Sequence, residues 1–399
     1  MDQSEPISNP SLRYRIPLYP TQFLCAMAIV SVGPLLDSMM TDLGVSLSRG
    51  GLISAGLFLG NVSGIVVLNT AMARVPVKRT LIGGAILQGA SLIAAGLATV
   101  DLWTLLVAYL FVGFSGALLN ATCWMWQSAH MKKNAAAAAL KMILFFGLAM
   151  MIVPLVLGMV LDAGADWRWI LVVEGGLSLL TASVIAVFPL LDIPGRRNVR
   201  ATQFKEVFSH NLGLLLGMMG AGFTYVGAEM TMNVWLPKFQ IDVFEAGDTW
   251  ASLSVTLFWA GLIVGRLIVM ALTRRFAASR LLLLCACIMA VFTVAVALVP
   301  SQVASLVLTV GAGLGASASY GLIGSFSGRF PGWQSSVASS LFVLSGGIGS
   351  ITFPYIMGPL ADSAGFQIAL AALAVPAIIY GLFSLLIHAR SGEAAHDAG

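Results

Sequence analysis

Twelve stretches of about 20 mostly apolar residues follow one another along this chain, separated by short polar loops. A backbone in lipid has to satisfy its own hydrogen bonds, so each stretch is expected to be a membrane-spanning helix. Composition agrees, because only 10% of the residues are charged, against about 25% in soluble domains. The sequence therefore predicts an all-α membrane protein with spans at residues 17–40, 47–72, 79–99, 102–127, 136–161, 167–190, 209–237, 249–271, 280–299, 302–327, 333–360 and 366–388.

Lysine and arginine are distributed unevenly between the two sets of alternate loops, which predicts the orientation of the chain. The first 16 residues are polar and lack a cleavage pattern, so the first span is expected to stay in the protein. The richer set of loops belongs in the cytoplasm, which places both termini and the central loop there and the protein in the cell (inner) membrane. The poorer set holds only Arg49, Arg168 and Lys238, whereas the richer set holds Arg74, Lys78, Arg79, Lys132, Lys133, Arg196, Arg197, Arg200, Lys205, Arg274, Arg275, Arg280 and Arg329.

The two halves of the chain repeat one another at a constant offset of 200 residues. Duplicated helix bundles are typical of secondary transporters, which bind their solute where the repeats meet. The repeat predicts a bundle at 1–190, a cytoplasmic linker at 191–208 and a second bundle at 209–399. The matching positions are Leu57-Phe58 and Leu257-Phe258, Arg74 and Arg274, Gly113 and Gly313, Gly147 and Gly347, Pro154 and Pro354, Gly158 and Gly358, and Asp162 and Asp362.

A carboxylate, Glu229, lies inside the seventh apolar stretch. An ionisable side chain at that depth costs about 2.5–3.5 kcal/mol, so it is expected to face a protein interior or a watery cavity. Tyr225 and Asn233 lie four residues before and after it, on the same helix face. We expect this face to bind solute and Glu229 to carry the coupled proton, with a structural carboxyl bonded to a neighbouring helix as the alternative.

The fourth span carries a second candidate solute-binding face. Asn120, Trp124 and Gln127 lie at helical spacing, so two amides and an indole share one side. Amides and aromatic rings are suited to reading a polar ring by hydrogen bonds and stacking. The alternative is ordinary bonding between helices with a tryptophan near the membrane surface, and Trp126 is expected to be packing.

Single polar residues complete the set of candidates. Lys141 either extends its ammonium back to the membrane surface or faces the cavity and attracts an anion. Tyr320 shares a face of the tenth span with small residues and is a further candidate for solute binding, although small residues also serve helix packing. Arg266 is expected to be a structural charge that binds loop carbonyls or an acid. The gating candidates are Asp37, Arg74 and Arg274.

Four strings carry a resemblance to a known family: GPLLDSMMTDLGVSLSRGGLISAGLFLG at 33–60, LLNATCWMWQSAHMKKNAAAAALKMILFFG at 118–147, TYVGAEMTMNVWLPKF at 224–239 and SGGIGSITFPYIMGPLADSAG at 345–365. With the twelve spans and the duplication, they make the chain resemble the major facilitator superfamily, and within it the fucose:proton symporter-like sugar transporter branch. The resemblance implies two pseudo-symmetric six-helix bundles that work by alternating access. It also implies that Glu229 is the acid of span seven, that Asn120 is the amide of span four, and that Glu174 in the peripheral sixth span is scaffold.

The sequence departs from that branch at three positions. Asp37 stands where the branch usually has proline, Lys141 where it often has asparagine, and Leu144 where it often has histidine. These departures weaken the expectation of a sugar substrate that the resemblance implies, and the positive charge of Lys141 favours an anionic solute.

Other classes of function are excluded by what the spans contain. No span places a histidine where it can activate a serine, and no HExxH or paired-aspartate motif is present, so an enzyme is not expected. With no nucleotide-binding loop, a proton or sodium gradient is the expected driver and no cofactor is needed. The prediction is a monomeric symporter of a sugar-like solute, coupled to a proton, partnered by the lipid bilayer and not by nucleic acid. The alternative is efflux or exchange of an organic anion or amphiphile.

Overall fold

The computed structural model describes residues 10–72, 75–131, 135–193, 211–317 and 319–391. Short 3-10 turns lie at Leu12–Tyr14 and Phe326–Arg329. The α-helices of this part of the chain are α1 Leu18–Val30, α2 Val32–Leu43, α3 Leu47–Asn69, α4 Val77–Leu97, α5 Leu102–His130, α6 Ala135–Asp162, α7 Trp167–Val187, α8 Leu212–Phe244, α9 Asp248–Leu272, α10 Ala278–Leu298, α11 Gln302–Ala316, α12 Ser319–Ser325, α13 Gln334–Ala364, α14 Phe366–Ala371 and α15 Ala374–Arg390.

The helices confirm the all-α membrane fold. Among the described residues, 11 helices are long and apolar enough to cross a membrane, or 12 if the bent pair α1 and α2 counts as one span. The boundaries differ where polar residues continue a helix beyond the membrane-length window. The seventh span was expected to end at residue 237, yet α8 continues through Pro237 to Phe244. The tenth span was expected at 302–327, and the structure has one span of membrane length at Gln302–Arg329, within which α11 ends at Ala316 and α12 begins at Ser319.

Side-chain caps fix where several helices begin. Asp101 accepts a bond from the Thr104 backbone N–H at 2.9 Å, and the Thr104 hydroxyl oxygen accepts one from the Asp101 backbone, so α5 begins with a capping box. The same Thr104 N–H lowers the pKa of the Asp101 carboxyl, because it stabilises the ionised form. Asn211 caps α8 by accepting from the Leu214 N–H at 3.0 Å.

The chain divides into two compact units. Residues 1–43 and 56–198 form the N-terminal unit, and residues 44–55 and 199–399 form the C-terminal unit. The beginning of α3 therefore belongs to the C-terminal unit, where the Ser48 backbone N–H donates to the Asp362 carboxylate at 2.8 Å. The expected bundles at 1–190 and 209–399 remain predictions, since most of the expected linker at 191–208 lies outside the described residues.

Glycines from the sequence repeat allow helix backbones to touch within each unit. A Cβ on Gly113 of α5 lies 1.7 Å from the Leu57 carbonyl oxygen of α3, and a Cβ on Gly313 of α11 lies 2.0 Å from the Phe258 carbonyl oxygen of α9. Real atoms cannot approach that closely, so both positions require glycine. Helix association in lipid depends on such close approach, because no hydrophobic effect drives it there. The repeated Gly113 and Gly313 therefore mark the same kind of contact in each unit.

Gly113→Ala is expected to destabilise the N-terminal unit. The added methyl group has to push α3 and α5 apart, and overpacking of this kind costs about 1–3 kcal/mol. The matched control is Gly116→Ala on the same helix, where a Cβ meets nothing within 4 Å. The measurement is the melting temperature of each variant in detergent. An unchanged melting temperature for Gly113→Ala contradicts the close α3/α5 contact.

Candidate functional site

Glu229 lies near the middle of α8, within the C-terminal unit. Its side chain is only 5% exposed, and Tyr225 and Asn233, one turn before and one turn after it, are fully buried. The predicted polar face of span seven is therefore turned into the protein. The neighbours of these three side chains come from α9, from the tenth span and from α15, whose Tyr380 ring lies 5.6 Å from the Tyr225 ring between centroids.

Within the tenth span, side chains from other helices hold the carbonyl groups where α11 ends. We call Ala316, Ser317 and Ser319 the span-ten break. The Tyr225 hydroxyl donates to the Ala316 carbonyl at 2.9 Å, and Arg266 Nε of α9 donates to the Ser317 carbonyl at 2.8 Å. Each bond satisfies a carbonyl near the end of α11 that would otherwise be costly at membrane depth. Arg266 thus binds a carbonyl, as the sequence predicted.

Two further contacts fix the position of the span-ten break. The Tyr380 hydroxyl of α15 donates to Ser319 Oγ at 2.8 Å. A Cβ on Gly265 would lie 2.4 Å from the Ser317 Cβ, so α9 passes directly against the break. Three helices, α8, α9 and α15, therefore supply the groups that hold it.

Glu229 is connected to this break through Tyr225. The Tyr225 hydroxyl, one turn before Glu229, interacts with the Glu229 carboxyl as a hydrogen-bonding group, and the Arg266 charge acts on the same carboxyl. A phenol has one proton to donate, and the Ala316 carbonyl can only accept. While Tyr225 donates to Ala316, its bond with Glu229 therefore requires a proton on the carboxyl. Once Glu229 is ionised, the single proton of the Tyr225 hydroxyl can be donated to the carboxylate or to the Ala316 carbonyl, but not to both.

Tyr320 is the most exposed of the candidates near Glu229. Its side chain is 43% exposed, and its ring lies against Phe342 of α13 with 5.0 Å between centroids. The electrostatic interaction between Tyr320 and Glu229 puts the two groups in one neighbourhood. Tyr320 is thus placed to contact a molecule that approaches the carboxyl.

Asn233 is held by Trp259 of α9. Trp259 Nε1 donates to Asn233 Oδ1 at 2.9 Å, which orients the amide so that its nitrogen points elsewhere. Asn233 Nδ2 is buried and has no hydrogen-bond partner among the described residues. A buried donor without a partner is costly, and a ligand oxygen is one way to satisfy it.

The candidates of span four lie in the N-terminal unit and are described within it alone. Gln127 is buried, and Asn120 and Trp124 are half-buried. Asn120 Oδ1 and Gln127 Oε1 have no hydrogen-bond partner in the described part of the chain, whereas Trp124 packs against a core cluster. Trp126 donates to the Leu191 carbonyl at 2.9 Å, which agrees with its expected packing role.

The other candidates are more exposed. Lys141 on α6 is exposed, and Asp37 on α2 is half-buried. Arg274, just after α9, is exposed, and Arg74 lies outside the described residues. The proposed roles of these four residues stay predictions.

Three residues of the site were not found from the sequence. Trp259, Ser319 and Tyr380 each bond to the Glu229 neighbourhood or to the span-ten break. Tyr380 and Trp259 are aromatic residues that carry a polar group inside apolar spans, and this pattern in the sequence could have indicated them as candidates. Their partners, however, lie 26 and 61 residues away in sequence.

Comparison with known proteins identifies the family. The sequence profile described as Major Facilitator Superfamily matches residues 18–329, which is more than half of the chain. The chain belongs to the major facilitator superfamily. It is therefore a multi-pass membrane protein and a secondary transporter of a small molecule, not an enzyme. No curated protein matches the sequence.

Solved structures of this superfamily share the fold at low sequence identity. A bacterial homologue of the human lysosomal transporter Spinster, inward-facing and unoccupied, matches with a TM-score of 0.76 and 14% identity over 96% of this chain and 99% of that chain. A D-xylose-proton symporter matches with a TM-score of 0.73 and 16% identity over 94% and 97%. The transporter FucP in the outward conformation matches with a TM-score of 0.61 and 18% identity over 94% and 99%.

The similarity is therefore spread over transporters of different solutes. Identities of this size show the fold of the superfamily and do not select one branch. The resemblance to the fucose:proton symporter-like branch stays a prediction.

Proposed function

We propose that this major facilitator transporter moves a small polar solute, a sugar or sugar-like metabolite, by proton-coupled symport, with Glu229 carrying the proton. The observation that carries the proposal is the position of Tyr225, whose hydroxyl donates to the Ala316 carbonyl of the span-ten break at 2.9 Å and interacts with the Glu229 carboxyl one turn along α8. Protonation of one carboxyl is thereby linked to the backbone of a transmembrane helix. Such a link is what a coupling site requires, since a proton shifts a conformational balance only if it binds the two states differently.

The proposed coupling step is the withdrawal of two donors when Glu229 loses its proton. The ionised carboxyl attracts the Tyr225 hydroxyl and the Arg266 guanidinium, both of which bond to the span-ten break when Glu229 is neutral. The Ala316 and Ser317 carbonyls then lose donors, and the break becomes easier to deform. We place the return of the solute-free transporter from the inward-open to the outward-open state in this step, whereas the solute-loaded transporter changes state with Glu229 protonated. Asp37, Arg74 and Arg274 are the proposed gating residues, and both termini are placed in the cytoplasm.

A proton suits this site better than a sodium ion. In broken transmembrane helices, sodium is coordinated by the free carbonyls at the break together with an acid. Here the Ala316 and Ser317 carbonyls already accept bonds from Tyr225 and from the positively charged Arg266. A guanidinium at that position repels a cation, whereas a proton needs only the carboxyl oxygen of Glu229.

Unpaired amide groups support a solute rich in hydroxyls. Asn120 Oδ1 and Gln127 Oε1 in the N-terminal unit and Asn233 Nδ2 in the C-terminal unit are buried and lack partners among the described residues. Sugar hydroxyls can donate to the two oxygens and accept from the nitrogen. In the proposal, the candidate aromatic residue of each unit, Trp124 in the N-terminal unit and Tyr320 in the C-terminal unit, offers a ring of the kind on which a sugar packs.

Lys141 favours a second candidate function, the exchange or efflux of an organic anion or amphiphile. Its side chain is exposed on α6, next to Ile143 and Leu144, which are also exposed. A cation flanked by apolar surface is suited to a solute with one acidic group and an apolar body. The sugar proposal has no role for Lys141, whereas the anion proposal requires it.

Uptake into proteoliposomes distinguishes these two functions. Under an inward proton gradient, the sugar proposal expects accumulation of a labelled hexose or pentose by the wild type and by Lys141→Ala alike. The anion proposal expects transport of labelled aromatic or short-chain carboxylates, reduced at least about tenfold in Lys141→Ala, since a charge-assisted hydrogen bond contributes about 1.5–3 kcal/mol. Transport of carboxylates and of no sugar overturns the leading proposal.

A further inference from the structure

The first span is bent at Ser31, in the N-terminal unit. Its two helices, α1 and α2, meet there at 42°. Pro34 lies four residues beyond Val30, so it cannot donate to the Val30 carbonyl and its ring presses against that carbonyl. The bend therefore has a covalent cause, and Ser31 stands at its corner.

A buried acid on another helix contacts this bend. Glu174 of α7 is only 3% exposed, and Ser31 Oγ lies 3.3 Å from Glu174 Oε2. The other carboxyl oxygen, Oε1, is buried and has no hydrogen-bond partner among the described residues. A carboxylate in this position would have one long hydrogen bond for two charged oxygens.

The charged groups on the neighbouring elements do not compensate a charge on Glu174. Arg168 on the same helix donates to Asp42 of α2 at 2.8 Å and to the Thr99 carbonyl beyond α4 at 2.9 Å. Lys78 of α4 donates to the Ala186 carbonyl, twelve residues along α7 from Glu174, at 2.7 Å.

The acidic and weakly acidic groups of the neighbouring helices act in the same direction, whereas Arg79 lies beside Lys78 in the first turn of α4. Tyr109 of α5 interacts electrostatically with Glu174, and negative charges on both groups would repel each other. The Tyr109 hydroxyl is directed at the Met39 sulfur 3.9 Å away. Asp37 and Asp42 are the acids of α2, and Cys25 of α1 is a buried thiol. These groups favour a neutral Glu174.

The number of protons available for hydrogen bonds at Ser31 also indicates a neutral Glu174. Ser31 Oγ is within hydrogen-bond distance of Glu174 Oε2 and also of the Ala28 carbonyl oxygen, at 3.5 Å. A hydroxyl donates one proton, and the Ala28 carbonyl accepts only. A proton on Glu174 lets both bonds form at once, with the carboxyl donating to Ser31 and Ser31 donating to Ala28.

From this geometry we infer that Glu174 is a second proton-binding site, and that its neutral carboxyl holds the bend of the first span through Ser31. Each unit then contains one buried acid next to an interruption in a transmembrane span. Glu174 is bonded to the bend at Ser31, and Glu229 is bonded through Tyr225 to the span-ten break. The inference concerns the N-terminal unit alone and stands whether or not Glu229 carries the coupled proton.

Infrared spectroscopy of the purified protein at neutral pH tests this inference without a transport substrate. A protonated carboxyl has a C=O stretching band that is separate from the bands of a carboxylate and that shifts in D2O. We expect Glu174→Gln to remove one protonated-carboxyl component. Glu229→Gln, the matched control, is expected to leave that component unchanged. Loss of carboxylate absorption in Glu174→Gln, with every protonated-carboxyl component retained, overturns the inference.

Ser31→Ala provides a second test that keeps the acid in place. Removing the hydroxyl deletes the hydrogen-bond partner of Glu174, so the C=O band of that carboxyl is expected to move to a higher frequency. Ser63→Ala on α3, whose hydroxyl donates within its own helix to Gly60 at 2.8 Å, is the control and is expected to leave the band in place. A band that does not move in Ser31→Ala contradicts the bond to the bend, even if Glu174→Gln does not fold.

Discussion

Glu229→Gln is expected to abolish solute accumulation driven by a proton gradient while leaving solute exchange intact. Glutamine has the size of a protonated glutamate and keeps a donor toward the Tyr225 oxygen, but it can neither bind nor release a proton. The variant should therefore resemble the permanently protonated transporter. Net uptake into unloaded proteoliposomes is expected to be lost, whatever the pH difference across the membrane, because the solute-free transporter cannot return with residue 229 neutral.

Proteoliposomes loaded with unlabelled solute measure exchange, and unloaded proteoliposomes under a pH gradient measure accumulation. The matched control is Glu245→Gln, which removes one negative charge from an exposed residue just after the end of the same helix. It is expected to behave as the wild type in both assays. Accumulation above equilibrium by Glu229→Gln, at the rate of the wild type, contradicts the proposed role of Glu229.

Tyr225→Phe is expected to uncouple transport as well, although it leaves the acid in place. The change deletes the one atom that joins Glu229 to the Ala316 carbonyl. A hydrogen bond to a charged group contributes about 1.5–3 kcal/mol, so proton-driven uptake is expected to fall about ten- to hundredfold. A buried carbonyl left without a donor should also lower the free energy of unfolding by about 1–3 kcal/mol.

Tyr380→Phe separates these two effects. Its hydroxyl bonds to Ser319 of the same break at 2.8 Å, but it is not hydrogen-bonded to Glu229. Both variants are expected to melt at lower temperature than the wild type, and only Tyr225→Phe is expected to lose the pH dependence of uptake. An equal loss in the two variants would mean that the break needs both bonds for stability and that Tyr225 has no special link to the proton.

Much of the fold could be predicted from the sequence, because a bilayer imposes a length and an apolarity on every helix that crosses it. The repeat gave further information, since Gly113 and Gly313 both proved to be contacts between helix backbones. The bonds from α8, α9 and α15 to the groups where α11 ends and α12 begins could not be foreseen, because they join residues that are far apart in sequence.

The candidate site was predictable in part. The face made by Tyr225, Glu229 and Asn233 follows from helical spacing alone. What these side chains contact does not follow from it, because Trp259 and Tyr380 approach from other helices, and tertiary contacts leave no local pattern. The contact between Glu174 and Ser31 could not be predicted for the same reason, since the two residues lie 143 positions apart in sequence.

The movement of protons on addition of solute tests the central claim most directly. Proteoliposomes that contain a pH-sensitive dye report whether solute uptake brings protons with it when no pH gradient has been imposed. The account predicts acidification of the interior by the wild type and by Glu245→Gln, and none by Glu229→Gln, in which exchange is still measurable. Acidification by Glu229→Gln equal to that of the wild type would show that the proton travels on another group and would contradict the account.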